Sequence, residues 1–248
     1  MPISPDATPV IRPVKTRNTP ELGPVAVMAA TMPDFQLLKS HLEFEDQANR
    51  HLYTADLVIG SGHSAGISLC GPFIGAPFAV MILETLIAWG ATRIVFMGWC
   101  GAISKDVHNG DMLVPNGALV DEGTSLHYLR KGMDIVPPSN LILEKTRKIM
   151  KSARITHREG LVWTTDAAFR ETREAVLSFQ DKGILAVEME LSALLSVGMF
   201  HGVDVGALLV VSDELSSLTW KPGFKSEQFK QARKDAAIIV MKLCEALT

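Results

Sequence analysis

The stretch Val-Gly-Ala-Leu-Leu-Val-Val-Ser-Asp-Glu, residues 205–214, decides the fold of this chain. Seven apolar residues follow one another without polar alternation, so we expect a strand that is covered on both faces. Polar residues come only at its end, as Ser-Asp-Glu. In open α/β sheets, ligands gather at the carboxyl ends of the strands. The stretch therefore predicts a buried strand that delivers acids to a binding crevice.

Short β-branched runs alternate with segments of helical period, which is typical of an α/β protein with a largely parallel sheet. The sequence predicts a single-domain, three-layer α/β/α fold with a mixed, largely parallel central sheet. The predicted strands are Val25–Ala30, Gly66–Cys70, Arg93–Met97, Met112–Val114, Leu161–Trp163, Leu185–Val187 and Val205–Val211. The predicted helices are Pro33–Leu42, Ala76–Trp89, Leu141–Ser152, Arg170–Phe179, Glu190–Phe200 and Ser226–Ala246.

Composition excludes several functional classes. The 248 residues carry 24 Lys plus Arg against 27 Asp plus Glu, so no basic excess is present to bind nucleic acid. Three widely separated cysteines predict neither disulfides nor a metal site and favour a cytoplasmic location. Residues 1–20 are interpreted as an N-terminal arm without a signal peptide, residues 21–248 as the catalytic domain, and no segment as membrane-spanning.

Four segments follow predicted strands and are candidates for ligand binding: Gly71–Pro77, Gly98–Ala102, Val187–Glu190 and Ser212–Glu214. Acids dominate the last two, where burial and hydrogen bonding can tune the protonation of a carboxyl group. The alternative for Glu188, Glu190 or Asp213 taken singly is that each caps a helix or a turn. The glycines of the first two segments can equally be ordinary turn residues.

The order of the motifs is more specific than any one of them. In sequence they are Gly-Ile-Ser-Leu-Cys-Gly-Pro-Phe-Ile-Gly-Ala-Pro from Gly66, Gly-Trp-Cys-Gly-Ala-Ile from Gly98, Asn-Gly-Asp-Met-Leu-Val-Pro from Asn109, Asp-Glu-Gly-Thr-Ser-Leu-His-Tyr from Asp121, Trp-Thr-Thr-Asp-Ala-Ala-Phe-Arg-Glu-Thr from Trp163, Ala-Val-Glu-Met-Glu from Ala186 and Val-Val-Ser-Asp-Glu-Leu from Val210. This series resembles the nucleoside phosphorylase family, and more closely its uridine phosphorylase branch.

The resemblance implies a role for each matching residue. Glu190 would accept hydrogen bonds from ribose hydroxyls, with Met189 on the ribose face and Glu188 beside it, and its charge would favour an oxocarbenium-like ribose. Asp213, paired with Ser212, would be the general acid that protonates the departing base. The remaining matches predict that Thr165 and Phe169 lie in the loop over the base, and that Gly75 and Gly98 belong to ligand-binding loops.

The phosphate site departs from the family pattern. Asp34 stands where phosphorylases keep an arginine after the first strand, Phe96 replaces a second arginine and Trp99 replaces a hydroxyl residue. These residues cannot compensate the desolvation of a phosphate dianion. Because related nucleosidases carry an acid at the first position, Asp34 is a candidate for handling water. The alternative is that Asp34 simply occupies the first turn of a helix after Pro33.

The sequence thus predicts an enzyme that cleaves the N-glycosidic bond of a ribonucleoside, by hydrolysis and without a metal or cofactor. One alternative is phosphorolysis, with phosphate as co-substrate held by Arg50, Arg170 or Arg173 and backbone amides of the 71–75 loop. Another is an inactive nucleoside-binding module. The resemblance also implies a homo-oligomer, a dimer or a trimer of dimers, to which Arg50 would contribute across an interface. The choice between purine and pyrimidine stays open.

Overall fold

The structure, a computed structural model, describes residues 8–44 and 47–248 and contains an eleven-stranded mixed sheet. Residues 1–7 of the predicted arm lie outside the described residues. The strands are β1 (Val25–Ala29), β2 (Arg50–Leu52), β3 (Ala55–Ile59), β4 (Ile67–Gly71), β5 (Arg93–Ala102), β6 (Met112–Asp121), β7 (Ile135–Val136), β8 (Arg158–Thr165), β9 (Ala186–Glu188), β10 (Asp204–Glu214) and β11 (Lys221–Pro222).

The middle of the sheet is parallel and its periphery is antiparallel. Strand β1 pairs in parallel with β4 and β5, and β5 pairs in parallel with β10 over the length of both strands. Strands β6, β8 and β9 form a second parallel group. Antiparallel pairings attach β2, β3, β7 and β11 and join the two parallel groups. The carboxyl ends of β1, β5 and β10 consequently meet at one edge.

Helices cover both faces of the sheet. They are α1 (Met32–His41), α2 (Ala76–Trp89), α3 (Asn140–Ala153), α4 (Arg173–Asp181), α5 (Leu191–His201) and α6 (Glu227–Leu247). One hydrophobic core joins α2 and α5 to the sheet, and a second joins α1, α3 and α6 to it. Both cores consist of aliphatic and aromatic side chains that leave water on folding, which is the main stabilising term. The predicted three-layer α/β/α architecture is confirmed.

Differences from the predicted elements are concentrated in the strands. The structure adds β2, β3, β7 and β11, which are too short or too polar to show a strand pattern. Strand β5 extends through Gly98–Ala102, which the sequence predicted as a loop, because β10 pairs with it as far as Glu214 and Ala102. The predicted Arg170–Phe179 helix begins only at Arg173, since Thr172 caps α4 by accepting a hydrogen bond from the Ala175 amide.

Within residues 8–44 and 47–248, no helix combines the length and the apolar character needed to cross a bilayer.

Candidate active site

A cavity of about 650 Å³ opens at the edge where β1, β5 and β10 end. Such a volume is in the range of small-molecule sites. Segments from seven parts of the chain converge on it, and its wall is mostly apolar with a few polar groups. The lining residues are Ala30, Thr31, Phe73, Ile74, Trp99, Cys100, Gly101, Ala168, Phe169, Glu171, Val187, Glu188, Met189, Glu190, Ser212, Asp213, Leu215, Trp220 and Phe224.

Glu190 is held at the start of α5 by a backbone contact from another loop. Its Oε1 accepts a hydrogen bond of 2.6 Å from the amide of Gly75, which itself precedes α2 with a positive φ of 80°. That backbone conformation suits glycine, because a β-carbon there would be strained. Burial raises the pKa of Glu190, and the Gly75 amide opposes this effect. The Met189 amide opposes it as well, and the carboxyl group borders the cavity.

Glu188 holds the same turn through hydrogen bonds to its backbone amides. Its Oε2 accepts hydrogen bonds from the amides of Glu190 at 2.8 Å and Leu191 at 2.7 Å, and its Oε1 accepts one from the Thr164 hydroxyl. Burial, followed by the nearby charge of Glu190, raises the pKa of Glu188. Glu188 therefore caps α5, which was the structural alternative for this residue, while it also borders the cavity.

Asp213 reaches the cavity through an irregularity in the sheet. The register of β10 against β5 shifts between Val211 and Asp213, so Ser212 is the extra residue of a bulge and Asp213 lies opposite Gly101. Bulges near active sites often re-aim a side chain. One carboxyl oxygen of Asp213 accepts a hydrogen bond of 2.6 Å from the Ser212 hydroxyl, and the other accepts one of 2.8 Å from the Trp220 indole. Both oxygens are thus fixed by donors.

Glu171 is a second acid beside Asp213. It lies between the short 3₁₀ helix at Ala168–Arg170 and α4, and its half-buried side chain lines the cavity. Burial, and then the negative charge of Asp213, raise the pKa of Glu171 to about 7. Among the described residues, no donor makes a hydrogen bond to its carboxyl group that would oppose this shift.

Asp34 lies just outside the cavity wall. It is fully buried, and its Oδ1 accepts a hydrogen bond of 2.6 Å from Nε of Arg233 on α6. Its Oδ2 accepts from the Trp99 indole at 2.5 Å and from the Thr31 hydroxyl at 3.1 Å. Burial raises the pKa of Asp34, while Arg233, Trp99 and Thr31 oppose that effect. The guanidinium also lies 5.3 Å from the Trp99 ring centroid, within range of a cation–π contact.

The cavity contains only part of the predicted site. Seven of the predicted residues border it: Trp99, Phe169, Glu188, Met189, Glu190, Ser212 and Asp213. Gly75 acts indirectly, through its amide on Glu190. Five others do not line it. Asp34 and Phe96 are fully buried behind the wall, Gly98 packs against Phe96, Thr165 accepts a hydrogen bond from the Ala167 amide, and Arg50 is exposed on β2 at the far edge of the sheet.

Four residues that matter for the site were missed by sequence reasoning: Glu171, Trp220, Phe224 and Arg233. Glu171 was visible within the quoted Trp163 motif, yet an acid before a helix is an ordinary choice. Trp220 and Phe224, on either side of Pro222 and Gly223, were a usable signal, because large aromatic residues in a polar turn require an explanation. Arg233 gave no such signal in the sequence, since it lies on the amphipathic helix α6 among other charged residues.

The described lining of the cavity contains acidic side chains but no basic ones. Four of the described lining residues are acids, and none is Lys, Arg or His. Arg233, whose guanidinium packs against the Trp99 ring of the wall, is paired with Asp34. Among the described residues, no group of three or more His, Cys, Asp or Glu is arranged to hold a metal ion. The cavity is therefore suited to a ligand that is neutral or develops positive charge, and it disfavours an anion.

Comparison with known sequences places this arrangement among related proteins. The sequence model described as the phosphorylase superfamily matches residues 24–247. A guanosine phosphorylase of Halorubrum lacusprofundi is 28% identical over 72% of this chain and 74% of its own length. A DeoD-type purine nucleoside phosphorylase of Bacillus cereus is 32% identical over 60% of this chain. The matched region spans 64% of that relative, just under two thirds.

Solved structures share the fold at low sequence identity. A uridine phosphorylase of Vibrio fischeri superposes with a TM-score of 0.77 at 22% identity, covering 90% of this chain and 92% of its own. A purine nucleoside phosphorylase of Toxoplasma gondii in complex with immucillin-H gives 0.80 at 18% identity, covering 92% of both chains. A 5'-methylthioadenosine/S-adenosylhomocysteine nucleosidase of Helicobacter pylori gives 0.72 at 19%, covering 91% of this chain and 97% of its own.

Proposed function

The chain belongs to the phosphorylase superfamily and is an enzyme of the nucleoside phosphorylase and nucleosidase type, and from that membership we propose that it hydrolyses the N-glycosidic bond of a ribonucleoside. Water would be the nucleophile in place of phosphate. The proposed products are a free base and ribose. Neither the cleavage of the glycosidic bond nor the addition of water requires a metal or an organic cofactor, because the protein's carboxyl groups can perform the proton transfers and stabilise the cationic ribose.

The observation that carries this proposal is the absence of a cation from the described lining of the cavity. Phosphate is usually bound by arginines, lysines or the amides of a helix N-terminus. Here the described lining offers the dianion acids but no basic side chain, so its desolvation would go uncompensated. Arg170 and Arg173 are exposed outside the cavity, and Arg233 is committed to Asp34.

Glu190 supports cleavage on the ribose side. We propose that its carboxyl group accepts hydrogen bonds from ribose hydroxyls, while the Gly75 amide fixes Oε1. As the glycosidic bond lengthens, positive charge grows on the ribose, and an anion fixed nearby stabilises the transition state more than the ground state. Met189 would pack on the ribose, and Asp213 with Ser212 would contact the base on the other side of the cavity.

Asp34 has a positioning role in this proposal. The sequence suggested that it handles water directly, but its full burial and its three hydrogen-bond donors do not support such contact. We propose instead that Asp34 fixes the Trp99 indole at the cavity wall and holds Arg233 behind that wall. Thr31 lines the cavity and donates to Asp34, so we propose that its hydroxyl oxygen contacts a water molecule at this wall.

An assay of purified protein with inosine, guanosine, adenosine, uridine and cytidine tests the proposal directly. We expect free base and ribose to appear at the same rate in phosphate-free buffer and in buffer with phosphate. Turnover that depends strictly on phosphate, with ribose 1-phosphate as product, would reject hydrolysis. The relatives named as phosphorylases favour phosphorolysis as the second candidate, with Arg50 from a neighbouring subunit as the predicted phosphate ligand. Binding without turnover would identify an inactive module.

The same assay decides the base. The motif order favours the uridine branch, whereas the relatives with higher sequence identity are named for guanosine and purine nucleosides. We therefore propose a ribonucleoside substrate without choosing its base. A homo-oligomer and a cytoplasmic location stay predictions of the sequence; light scattering of the purified protein tests the first.

A further inference from the structure

Two carboxyl groups line one cavity where the proposed reaction needs a single proton. Glu171 and Asp213 line the same cavity and interact electrostatically, although they come from different segments of the chain. Resting on the proposed function, we infer that Glu171, and not Asp213, stores the proton that the departing base receives. Asp213 is then the charged partner that orients the base and keeps the proton on Glu171.

The hydrogen bonds of Asp213 suit a carboxylate. An ionised carboxyl group only accepts hydrogen bonds, whereas a protonated one must also donate. Asp213 accepts from Ser212 on one oxygen and from Trp220 on the other. An indole N–H can only donate, so the oxygen that faces Trp220 cannot carry the proton toward it. The Trp220 contact therefore favours an unprotonated oxygen on Asp213, whereas the Ser212 hydroxyl, which also lies 3.3 Å from the Cys100 carbonyl oxygen, can donate its one proton to either group.

Glu171 has the opposite surroundings. Among the described residues no donor is bound to its carboxyl group, and the titratable groups that share its cavity are Asp213 on β10, Glu188 and Glu190 at the β9–α5 turn, and the buried thiol of Cys100. Its own segment adds Arg170 and Arg173, which are exposed to solvent. A half-buried acid near other acids keeps its proton to higher pH. The pKa of about 7 is close to the value that general acid catalysis favours.

Cleavage moves one proton from Glu171 to the departing base. The C1′–N bond breaks with both electrons going to the base, and a base nitrogen takes the proton from Glu171, which becomes a carboxylate. Water adds to C1′ through an oxygen lone pair and loses one proton to solvent. After the base leaves, solvent returns a proton to Glu171. Repulsion from the Asp213 carboxylate drives this return, because two adjacent like charges disfavour ionisation of both groups.

A nucleoside with a cationic base separates this role from a structural one. Nicotinamide leaves nicotinamide riboside as a neutral base and needs no proton, whereas the bases of inosine and uridine do. In the E171Q variant, we expect kcat/KM for the cleaved neutral nucleoside to fall by about 10²- to 10⁴-fold, the usual contribution of a general acid. We expect the rate with nicotinamide riboside to change by less than about threefold, since no proton transfer is removed.

The matched control is E174Q, which removes an exposed acid three residues further along the chain and outside the cavity. It should leave both rates unchanged. Thermal unfolding of each variant checks that it folds. The wild-type enzyme gives an independent measurement: the ratio of kcat/KM for the neutral nucleoside to kcat/KM for nicotinamide riboside should decrease as pH rises through about 7, the pKa of Glu171. Ionisation of Glu190 affects both substrates and cancels in this ratio.

The outcomes separate the two proposals. If wild-type protein cleaves no nucleoside, the proposed function fails and the role of Glu171 fails with it. If wild-type protein cleaves a neutral nucleoside and folded E171Q retains that activity, only the role of Glu171 fails. Equal losses with neutral and cationic substrates would show a structural effect and would also overturn it. If D213N loses activity toward the neutral nucleoside and E171Q does not, Asp213 is the general acid.

Discussion

Nε of Arg233 lies 2.6 Å from Oδ1 of Asp34, and this ion pair joins α6 to the first turn of α1 behind the cavity wall. Asp34 is fully buried, and the Arg233 side chain is only 15% exposed. Removing only one member of such a pair is strongly destabilising, because the remaining charge stays buried without a partner. Trp99 completes the unit, since its indole bonds to Asp34 and its ring packs against the guanidinium.

The first prediction concerns this pair. D34N should lower the free energy of unfolding by about 3–5 kcal/mol, because it leaves Arg233 buried without its counter-charge. The double variant D34N/R233M should recover most of that loss, since both charges are then removed. Urea denaturation measures each value. E227Q, which removes the exposed partner of Lys230, is the control and should leave stability unchanged. An equal loss in the single and double variants would contradict the explanation.

The second prediction concerns Glu190. E190Q retains an oxygen for the Gly75 amide but removes the charge proposed to stabilise the cationic ribose. We expect kcat/KM to fall by about 10²- to 10³-fold, chiefly through kcat, since charge develops only in the transition state. Steady-state kinetics with the best nucleoside provide the measurement. E144Q on the exposed surface of α3 serves as the control. A change confined to KM would assign Glu190 to ground-state binding alone.

The third prediction concerns Trp220. W220F keeps an aromatic ring at the cavity but removes the indole N–H that binds Asp213. Losing one such hydrogen bond should lower kcat/KM by roughly tenfold, because Asp213 is then less well oriented. W89F removes an indole that donates to the Val14 carbonyl away from the cavity, and should have no effect on kinetics. Equal activity of W220F and wild type would show that Ser212 alone orients Asp213.

The fourth prediction concerns stability against pH. Burial raises the pKa of Glu171, Glu188 and Glu190, so between about pH 5 and 8 the folded protein holds more protons than the unfolded chain. The free energy of unfolding should therefore be highest near pH 5 and fall as pH rises through the folded pKa values. The acids with lowered pKa values, such as Glu159, act below this window.

Urea denaturation at several pH values tests this sign. E190Q should reduce the slope, because one of the titrating groups is removed. Stability that increases from about pH 5 to 8 would mean that the three acids are ionised at little cost in the folded protein.

What the sequence determined by itself was the layered architecture and the segments that carry the chemistry. Uninterrupted apolar runs such as 205–211 admit only a strand buried on both faces, and an amphipathic segment such as Ser226–Ala246 must lie against a sheet. The observed β10 and α6 follow both expectations. Because parallel strands deliver their carboxyl ends to one edge, Glu190 and Asp213 could be expected near each other, and both border the cavity.

The tertiary structure decided which partners these acids have. Asp34 meets Arg233 across 199 positions of sequence and Trp99 across 65, and Asp213 meets the Trp220 indole only because β11 folds back on β10. Local pattern carries no information on such contacts, since burial and long-range pairing set both the desolvation and the charge around a carboxyl group. The same physics separates Glu171 from Asp213: sequence presents two ordinary acids, and only their placement in one cavity makes their environments differ.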